Sequence, residues 1–296
     1  MKSRYIRLLR PIAWITFLLP FSVGLGLGLT SKSNPFHILF AFIAFISWMS
    51  FSFLVNAIAD KEVDRFHDGR SKDMNLSFQP LVTGEVTEKE ALYLSVIFLF
   101  TSLLFAWLVN PFFLLLIFIV DIFGYVYSMP PFRFKTKPIV DILCNALSAG
   151  VIYIAGLSIG SANMDLIMIL GVFIMASTFY IPTVVTDYSF DKKAGLNTSA
   201  VFFGPKKILK VMYLLTAIVL FIGIIVLLIS NLELKVLALL IIFYSFVFTI
   251  ASNFKLKGGR LYLHANWILI PFALISVVFV SYGIIKLLGL FAPLGS

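Results

Sequence analysis

The sequence predicts an all-α integral membrane protein with about nine transmembrane helices. Of its 296 residues, 60% are hydrophobic and 12% are charged, whereas soluble domains have about 45–50% apolar and about 25% charged residues. The mean hydropathy is +1.03. Apolar runs of about 20 residues, the length that crosses a bilayer, recur along the chain. The basic residues are concentrated in alternate loops, as is typical of multi-span proteins.

Each apolar run is predicted to be a helix, because the backbone must satisfy its own hydrogen bonds in lipid and the runs are too long for barrel strands. The first run follows a basic segment but shows no small-residue cleavage pattern, so we interpret it as a span rather than a signal peptide. We expect one domain, 1–296, whose two halves, about 1–137 and 138–296, resemble each other weakly. The predicted spans are 12–30, 36–59, 90–108, 112–128, 139–160, 164–186, 208–230, 235–252 and 262–290.

The distribution of positive charge predicts the orientation. With the N-terminus and every second loop in the cytoplasm, twenty Lys and Arg residues lie on that side, and only Lys32, Lys235 and Lys286 lie on the other. This asymmetry indicates an N-in, C-out protein, which we place in the plasma membrane. The net charge of +9 is then a topology signal, and no nucleic-acid partner is expected.

A stripe of polar side chains ends the second span. Asn56, Asp60 and Asp64 are four residues apart, a spacing that rotates only about 40° and rises about 6 Å per step on a helix. Carboxylates near membrane depth are costly and usually mark a functional site. Such hard oxygen ligands suit Mg²⁺, which commonly takes one or two carboxylates together with phosphate oxygens and water.

The sixth span ends in a second pair with the same spacing, Asp187 and Asp191, on the same predicted side. Two such stripes at one face suit two Mg²⁺ ions that bridge a diphosphate and neutralise it as a leaving group. The alternative is that these aspartates are only solvated helix ends. Local stability does not explain them, because carboxylates at a helix C-terminus oppose its dipole.

A basic segment follows the fourth span. Pro130 and Pro131 are expected to stop the helix and to hold the next residues extended. Arg133 and Lys135 would then project to the same side and bind phosphate. The alternative is that these charges only obey the positive-inside rule.

At these residues the chain resembles the UbiA superfamily of intramembrane prenyltransferases. Asn56, Asp60 and Asp64 match the N-x3-D-x3-D motif of that family, and Asp187 and Asp191 match its D-x3-D motif. Two further segments match, namely Tyr127-Ser-x-Pro-Pro-x-Arg133-x-Lys135 and the stretch from Gly195 to Gly204, while Arg10-Pro11 resembles the start of the first span.

The resemblance implies helices around a central cavity, with a cytoplasmic mouth, and Mg²⁺-dependent transfer of a prenyl group from a prenyl diphosphate to a membrane-associated acceptor. A quinone precursor, a glycerol-ether lipid or another lipophilic molecule would serve as acceptor, and membrane lipid is a further partner. The implied metal ligands are Asn56, Asp60, Asp64, Asp187 and Asp191. The expected substrate-binding residues are Asn56, Arg133, Lys135 and Arg10, and the expected catalytic residues are Asp64, Asp191, Tyr127 and Lys135.

The sequence departs from the family pattern at two points. Ala57 follows the motif asparagine, where many relatives have aspartate, and the loop before Gly84 has Gln79-Pro80 in place of Arg-Pro. These departures leave the acceptor open and leave the metal ligands intact.

Other features favour no single chemistry. Asp121 within the fourth span is either a buried polar contact or an acceptor-side group, and Asp141 at the start of the fifth span is interpreted as interfacial. The single cysteine, Cys144, excludes a disulfide framework. A cation-coupled transporter is the alternative function, but its carboxylates would be expected near the membrane midplane.

Overall fold

The computed structural model of the chain describes residues 2–64, 79–160, 165–229 and 265–290, with Lys235, Ala238, Leu239 and Ile242 also described. Its described elements are helices and turns. The helices are α1 Lys2–Leu9, α2 Ile15–Gly28, α3 Pro35–Asp64, α4 Glu88–Val109, α5 Pro111–Ser128, α6 Val140–Leu157, α7 Leu166–Lys193, α8 Ser199–Phe203, α9 Pro205–Ile229 and α10 Ala265–Leu287. Two 3₁₀ turns, Pro11–Trp14 and Phe134–Thr136, precede α2 and α6.

Seven segments of the described chain are long and apolar enough to cross a membrane, which confirms the predicted all-α membrane class. They are Arg4–Gly28, Pro35–Asp64, Glu88–Val109, Pro111–Ser128, Val140–Leu157, Leu166–Lys193 and Pro205–Leu228. The apolar stretch Pro271–Leu287 of α10 lies in the predicted ninth span. Most of the predicted eighth span, 235–252, lies outside the described residues. The count of nine spans and their orientation therefore stay predictions.

Side-chain caps explain where several helices begin. The Thr87 hydroxyl accepts a hydrogen bond from the Glu90 amide while the Glu90 carboxylate accepts one from Thr87, which forms a capping box at α4. Asn110 caps α5 through the amide of Phe113, and Asp165 caps α7. These polar residues satisfy amides that have no partner within the helix.

The sixth predicted span, 164–186, ends too early. Helix α7 continues to Lys193, so that Asp187 and Asp191 both lie within its last two turns. Lys192 and Lys193 occupy the final turn, where positive charge is favourable to the helix dipole.

The chain divides into two compact units. Unit 1 comprises Met1–Arg133, Val151–Met164 and Phe272–Ser296, and unit 2 comprises Phe134–Gly150 and Asp165–Pro271. The predicted single domain with two echoing halves remains a prediction.

Glycines allow close helix packing in unit 1. A Cβ on Gly156 of α6 would lie 2.3 Å from the carbonyl oxygen of Phe21, and one on Gly24 of α2 would lie 2.1 Å from that of Tyr153. The backbones of these two helices therefore approach each other where only glycine fits, as is common in membrane proteins. Buried aromatic residues, including Phe45 of α3, fill the adjacent core.

Helix α7 packs against α8 and α9 in unit 2. Pro182 lies inside α7 and removes one backbone donor. Further along the same helix, the Thr186 hydroxyl donates to the Pro182 carbonyl at 2.8 Å. The polar end of α7 thus begins about one turn after its proline.

Candidate active site

Two interhelical hydrogen bonds fix the orientation of the polar stripe on α3. The Trp48 indole N–H donates to the Val120 carbonyl at 3.0 Å, and Asn56 Nδ2 donates to the Ser128 hydroxyl at 3.2 Å. In both contacts the partner on α5 is 72 residues further along the chain. Helices α3 and α5 are therefore paired in a constant register, which directs the motif asparagine towards Ser128.

A glycine keeps the same register between these two contacts. A Cβ on Gly124 of α5 would lie 2.5 Å from the Ser52 hydroxyl oxygen of α3. Ser52 precedes Asn56 by four residues, so the two helices approach each other closely about one turn before the motif. The small residue allows α5 to support the polar face of α3.

Guanidinium groups lie beside both aspartates of this motif. Arg133 Nη2 is 3.4 Å from Asp60 Oδ1 and also donates to the Ala59 carbonyl at 3.4 Å, and Arg10 Nη2 is 3.7 Å from Asp64 Oδ2. The aspartate side chains are each 16% exposed. These two separations exceed the usual 2.7–3.2 Å of a good hydrogen bond, so the two contacts are ion pairs with long or absent hydrogen bonds between the measured atoms.

Both arginines have an unusual backbone conformation. The φ angles are 50° at Arg10 and 41° at Arg133, in the left-handed region. Residues other than glycine seldom adopt this region, and such strain costs on the order of 1–3 kcal/mol and is concentrated at functional sites. The fold therefore maintains two unfavourable conformations at the positions that bring positive charge to the motif.

Helix α1 is attached to the loop before α4. Arg7 forms an ion pair with the Glu85 carboxylate, and Arg4 Nη1 donates to the Glu85 carbonyl at 2.7 Å. Because Arg10 directly follows this helix, the two contacts restrict where its side chain can reach.

In unit 2, Asp191 is nearly buried, with 9% of its surface exposed. The Thr198 hydroxyl donates to Asp191 Oδ2 at 3.1 Å, and the Leu196 amide donates to the Asp191 carbonyl at 2.9 Å. Asp187, half-buried, lies one turn earlier on α7. The chain after α7 thus folds back onto the end of the second motif.

Asp141, at the start of α6, is fully buried in the structure. It accepts hydrogen bonds from the Ser199 amide at 2.8 Å, from the Ile142 amide at 2.9 Å and from the Ser199 hydroxyl. These donors replace the solvation that water would supply to the carboxylate, and the predicted place of Asp141 at the membrane interface stays a prediction. Helical position alone gives no sign of such a partner 58 residues away.

The basic segment also differs from the prediction. The Arg133 amide donates to the Met129 carbonyl at 2.9 Å, and Lys135 lies in the 3₁₀ turn Phe134–Thr136. The predicted extended conformation was therefore wrong, because this hydrogen bond turns the chain after the two prolines. Tyr127 lies half-buried in the last turn of α5.

The donor set fits a magnesium site that is completed by phosphate. Among the residues that the structure describes, no group of three His, Cys, Asp or Glu side chains could hold a metal ion by itself. Mg²⁺ usually takes one or two protein carboxylates and completes its octahedron with water and substrate phosphates. Asn56 fits the same requirement, since its amide nitrogen donates to Ser128 and its oxygen would be the hard ligand.

The sequence missed Ser128, Asp141 and Ser199. Ser128 and Ser199 lie in the two segments that matched the family pattern, which was the available signal. That signal does not indicate which helix each hydroxyl contacts. For Asp141 the available signal was only its place at the start of a span.

The fold and these contacts define a helical membrane protein with carboxylate and guanidinium groups at helix ends. The model of the UbiA prenyltransferase family matches residues 17–260. The solved structure of a UbiA homolog from Archaeoglobus fulgidus bound to DMAPP and Mg²⁺ is 47% identical, with a TM-score of 0.88, and the match covers 96% of this chain and 99% of that one. The chain therefore belongs to the UbiA prenyltransferase family, which confirms the resemblance found in its motifs.

Two curated relatives are more distant. A lycopene elongase/hydratase of Haloferax volcanii is 24% identical over 203 residues, which cover 67% of this chain and 64% of the relative. A digeranylgeranylglyceryl phosphate synthase of Methanosphaera stadtmanae is 26% identical over 208 residues, which cover 69% of this chain and 70% of the relative. The chain thus spans about two thirds of the length of these relatives.

Proposed function

We propose that this protein transfers a prenyl group from a prenyl diphosphate to a lipophilic acceptor in the membrane and releases diphosphate in a Mg²⁺-dependent reaction. The observation that carries the proposal is the stripe of Asn56, Asp60 and Asp64 with Arg133 and Arg10 beside its carboxylates. It combines hard metal ligands and phosphate-binding cations at one helix end. The A. fulgidus homolog, solved with DMAPP and Mg²⁺, supports the donor class and the metal.

The long arginine–aspartate pairs suit a site that changes partners. When a diphosphate arrives, Arg133 and Arg10 can exchange their carboxylate partners for phosphate oxygens and so remain paired with negative charge. A planar guanidinium binds phosphate oxygens with two parallel hydrogen bonds. We infer that both arginines contact the diphosphate when it arrives and that Asp60 and Asp64 then serve the metal.

Bound Mg²⁺ would be held by Asn56, Asp60, Asp64, Asp187 and Asp191 and would supply positive charge to the diphosphate oxygens. Preorganised positive charge is most effective where negative charge develops in the transition state. Arg133 and Lys135 supply such charge from the protein itself.

The proposed reaction begins with ionisation of the donor. The carbon–oxygen bond breaks, both of its electrons leave with the diphosphate, and the acceptor then attacks the allylic carbon. Tyr127 is the aromatic residue that we assign to the side of the reacting carbon, and Asp64 is our candidate for removing the acceptor's proton. A covalent route through Cys144 is not favoured. Its thiol is buried, and Cys144 belongs to no motif that would supply a general base.

Charge removal at each motif tests the proposal. Asp60→Asn and Asp191→Asn keep the side-chain size and should each lower diphosphate release from DMAPP about 100-fold or more, by analogy with the loss of a single transition-state donor. Asp165→Asn, which alters a carboxylate at the other end of α7, is the matched control and should retain activity. Near wild-type turnover of both motif variants would show that the metal assignment is wrong.

A fluorinated donor tests ionisation. Fluorine near the reacting carbon disfavours positive charge there, so turnover should fall strongly when the chemical step limits the rate. Equal rates for the fluorinated and parent donors under that condition would exclude ionisation before attack.

We also propose that the active site opens to the cytoplasm of a cell with the protein in its plasma membrane. Lys32, Lys89 and Lys193 are exposed, with Lys32 between α2 and α3, Lys89 in the first turn of α4 and Lys193 in the last turn of α7. In a Cys144→Ala protein, cysteines at 89 and 193 should react from the cytoplasmic side, and a cysteine at 32 should react from the outside. Labelling of 89 and 193 from opposite sides would overturn the predicted topology.

The acceptor is proposed only as a class. The names of the two relatives indicate carotenoid and glycerol-ether lipid chemistry. A quinone precursor belongs to the same class of lipophilic acceptors. Incubation with DMAPP or longer donors and lipid extracts, followed by mass spectrometry, should reveal a product heavier by one prenyl unit. Products restricted to water-soluble molecules would contradict a lipophilic acceptor.

A further inference from the structure

A connected set of hydrogen bonds in unit 2 links the second aspartate motif to the segment that carries Lys135. Its centre is Asp141, which has 0% of its surface exposed. Both carboxylate oxygens of Asp141 accept from Ser199, one from the amide at 2.8 Å and the other from the hydroxyl. A buried carboxylate is stable only when such donors compensate for lost hydration.

One side of this set reaches the metal motif. Thr198 is adjacent to Ser199, and its hydroxyl donates to Asp191 Oδ2 at 3.1 Å. Fixing the backbone of Ser199 therefore also fixes where the Thr198 hydroxyl lies. The carboxylate of Asp191 thus accepts from the residue directly before the one that Asp141 binds.

The other side reaches the basic turn. The Ile139 amide donates to the Ser199 hydroxyl oxygen at 2.7 Å, and the Asp141 amide donates to the Lys137 carbonyl at 3.1 Å. Ile139 has a φ of 69°, a region that β-branched residues rarely adopt. This strained residue follows Lys135 by four positions, so Ser199 anchors the chain directly after the basic turn.

We propose that Asp141 is a positioning residue for diphosphate binding, which orients Asp191 through Ser199 and Thr198 and holds the Lys135 turn at the same point. The inference rests on the proposed function. Asp141 acts through Asp191 and Lys135 and has no contact with substrate. Residues that orient metal ligands typically change metal affinity or activity 10–100-fold when they are substituted.

A purely structural role would not need this arrangement. A five-residue helix such as α8 can be capped by a neutral side chain. The carboxylate is required here because three donors, from Ser199 and Ile142, converge on its two oxygens. An amide offers one oxygen and places two further donors in the same space.

The test compares Asp141→Asn, Thr198→Val and Thr198→Ser with the wild type. Initial rates of diphosphate release from DMAPP are measured across a range of Mg²⁺ concentrations. We expect Asp141→Asn and Thr198→Val to raise the half-saturating Mg²⁺ concentration about 10-fold or more. Thr198→Ser keeps the hydroxyl that binds Asp191 and should remain within about 3-fold of the wild type, since the hydrogen bond is retained.

Asp165→Ala provides the matched control. Asp165 caps the opposite end of α7 through the Ile167 amide at 2.8 Å, so its removal weakens the same helix without touching the linked set. Its thermal midpoint should fall while its half-saturating Mg²⁺ concentration stays unchanged. A merely structural role for Asp141 would give this same pattern.

Amide hydrogen exchange and enzyme activity together distinguish failure of the positioning role from failure of the proposed function. Peptides that contain Leu196 and Ser199 should exchange faster in Asp141→Asn than in the wild type. If wild-type protein released no diphosphate, the proposed function would fail and the positioning role with it, even where exchange revealed the link. If wild-type protein is active and Thr198→Val has unchanged Mg²⁺ dependence, the positioning role is wrong and the proposed function stands.

Discussion

At the end of α3, Asp60 and Asp64 lie 3.4 and 3.7 Å from the guanidinium groups of Arg133 and Arg10, and each aspartate side chain is 16% exposed. At the end of α7, Asp191 is 9% exposed and accepts a hydrogen bond from the Thr198 hydroxyl. The two motifs have the same four-residue spacing in the sequence. Among the described contacts, the carboxylates of the first motif lie beside arginines, whereas the Asp191 carboxylate accepts a hydrogen bond from a neutral hydroxyl group.

The difference indicates that the two pairs of carboxylates depend on different kinds of neighbouring group. Ion pairs are long-range, weakly directional and screened by salt, so the first motif should respond to changes of charge. A hydrogen bond from a hydroxyl group has a narrow range of distance and angle, so the second motif should respond to small changes of geometry. Identical spacing therefore does not imply an identical response to substitution.

Arg133→Gln should have the largest effect among the supporting residues of the first motif. Loss of a hydrogen bond to a charged group costs about 1.5–3 kcal/mol, which predicts roughly a 10–100-fold rise in the KM for DMAPP. Arg133→Lys keeps the charge and should lose less. Added salt should raise the wild-type KM more than that of Arg133→Gln, and equal salt dependence would contradict an electrostatic role.

Ser128→Ala should have a smaller effect, because it removes one neutral hydrogen bond to Asn56. Such a bond contributes about 0.5–1.5 kcal/mol, so activity should fall roughly 2–10-fold. The matched control is Ser148→Ala, since the Ser148 hydroxyl bonds the Cys144 carbonyl within its own helix. Equal activity losses in the two variants would show that Ser128 has no particular link to the motif.

Gly124→Ala tests the register of α3 and α5 through stability. The added Cβ would lie 2.5 Å from the Ser52 hydroxyl oxygen, and overpacking costs about 1–3 kcal/mol. The thermal midpoint should fall, and Ser52→Ala in the same protein should recover part of the loss. Additive losses in the double variant would contradict the close approach of these two residues.

Cys144→Ala should have the smallest effect. Cys144 is buried and belongs to neither motif, and such a thiol packs as a small hydrophobic group. Stability should change by about 1 kcal/mol, close to the value for one buried methylene, with turnover within about 2-fold. A large loss of turnover would reopen the covalent route.

The sequence predicted the membrane class because its apolar runs can satisfy their backbone groups in lipid only as helices. It also placed the aspartates of each motif on one helical face, since a spacing of four does so whatever the helix packs against; their metal role stays a prediction. The family motifs added Arg10 and Arg133 as phosphate ligands. All of these inferences depend on local geometry or on a pattern within one segment.

Only the tertiary structure paired Asn56 with Ser128, Arg10 with Asp64 and Asp141 with Ser199. The helices that carry these residues are apolar on nearly all sides, because lipid and protein neighbours are both apolar. Hydrophobic periodicity therefore does not indicate which face meets which partner. Close packing at small residues such as Gly124 fixes the register instead, and that register decides which polar side chains come within hydrogen-bonding distance.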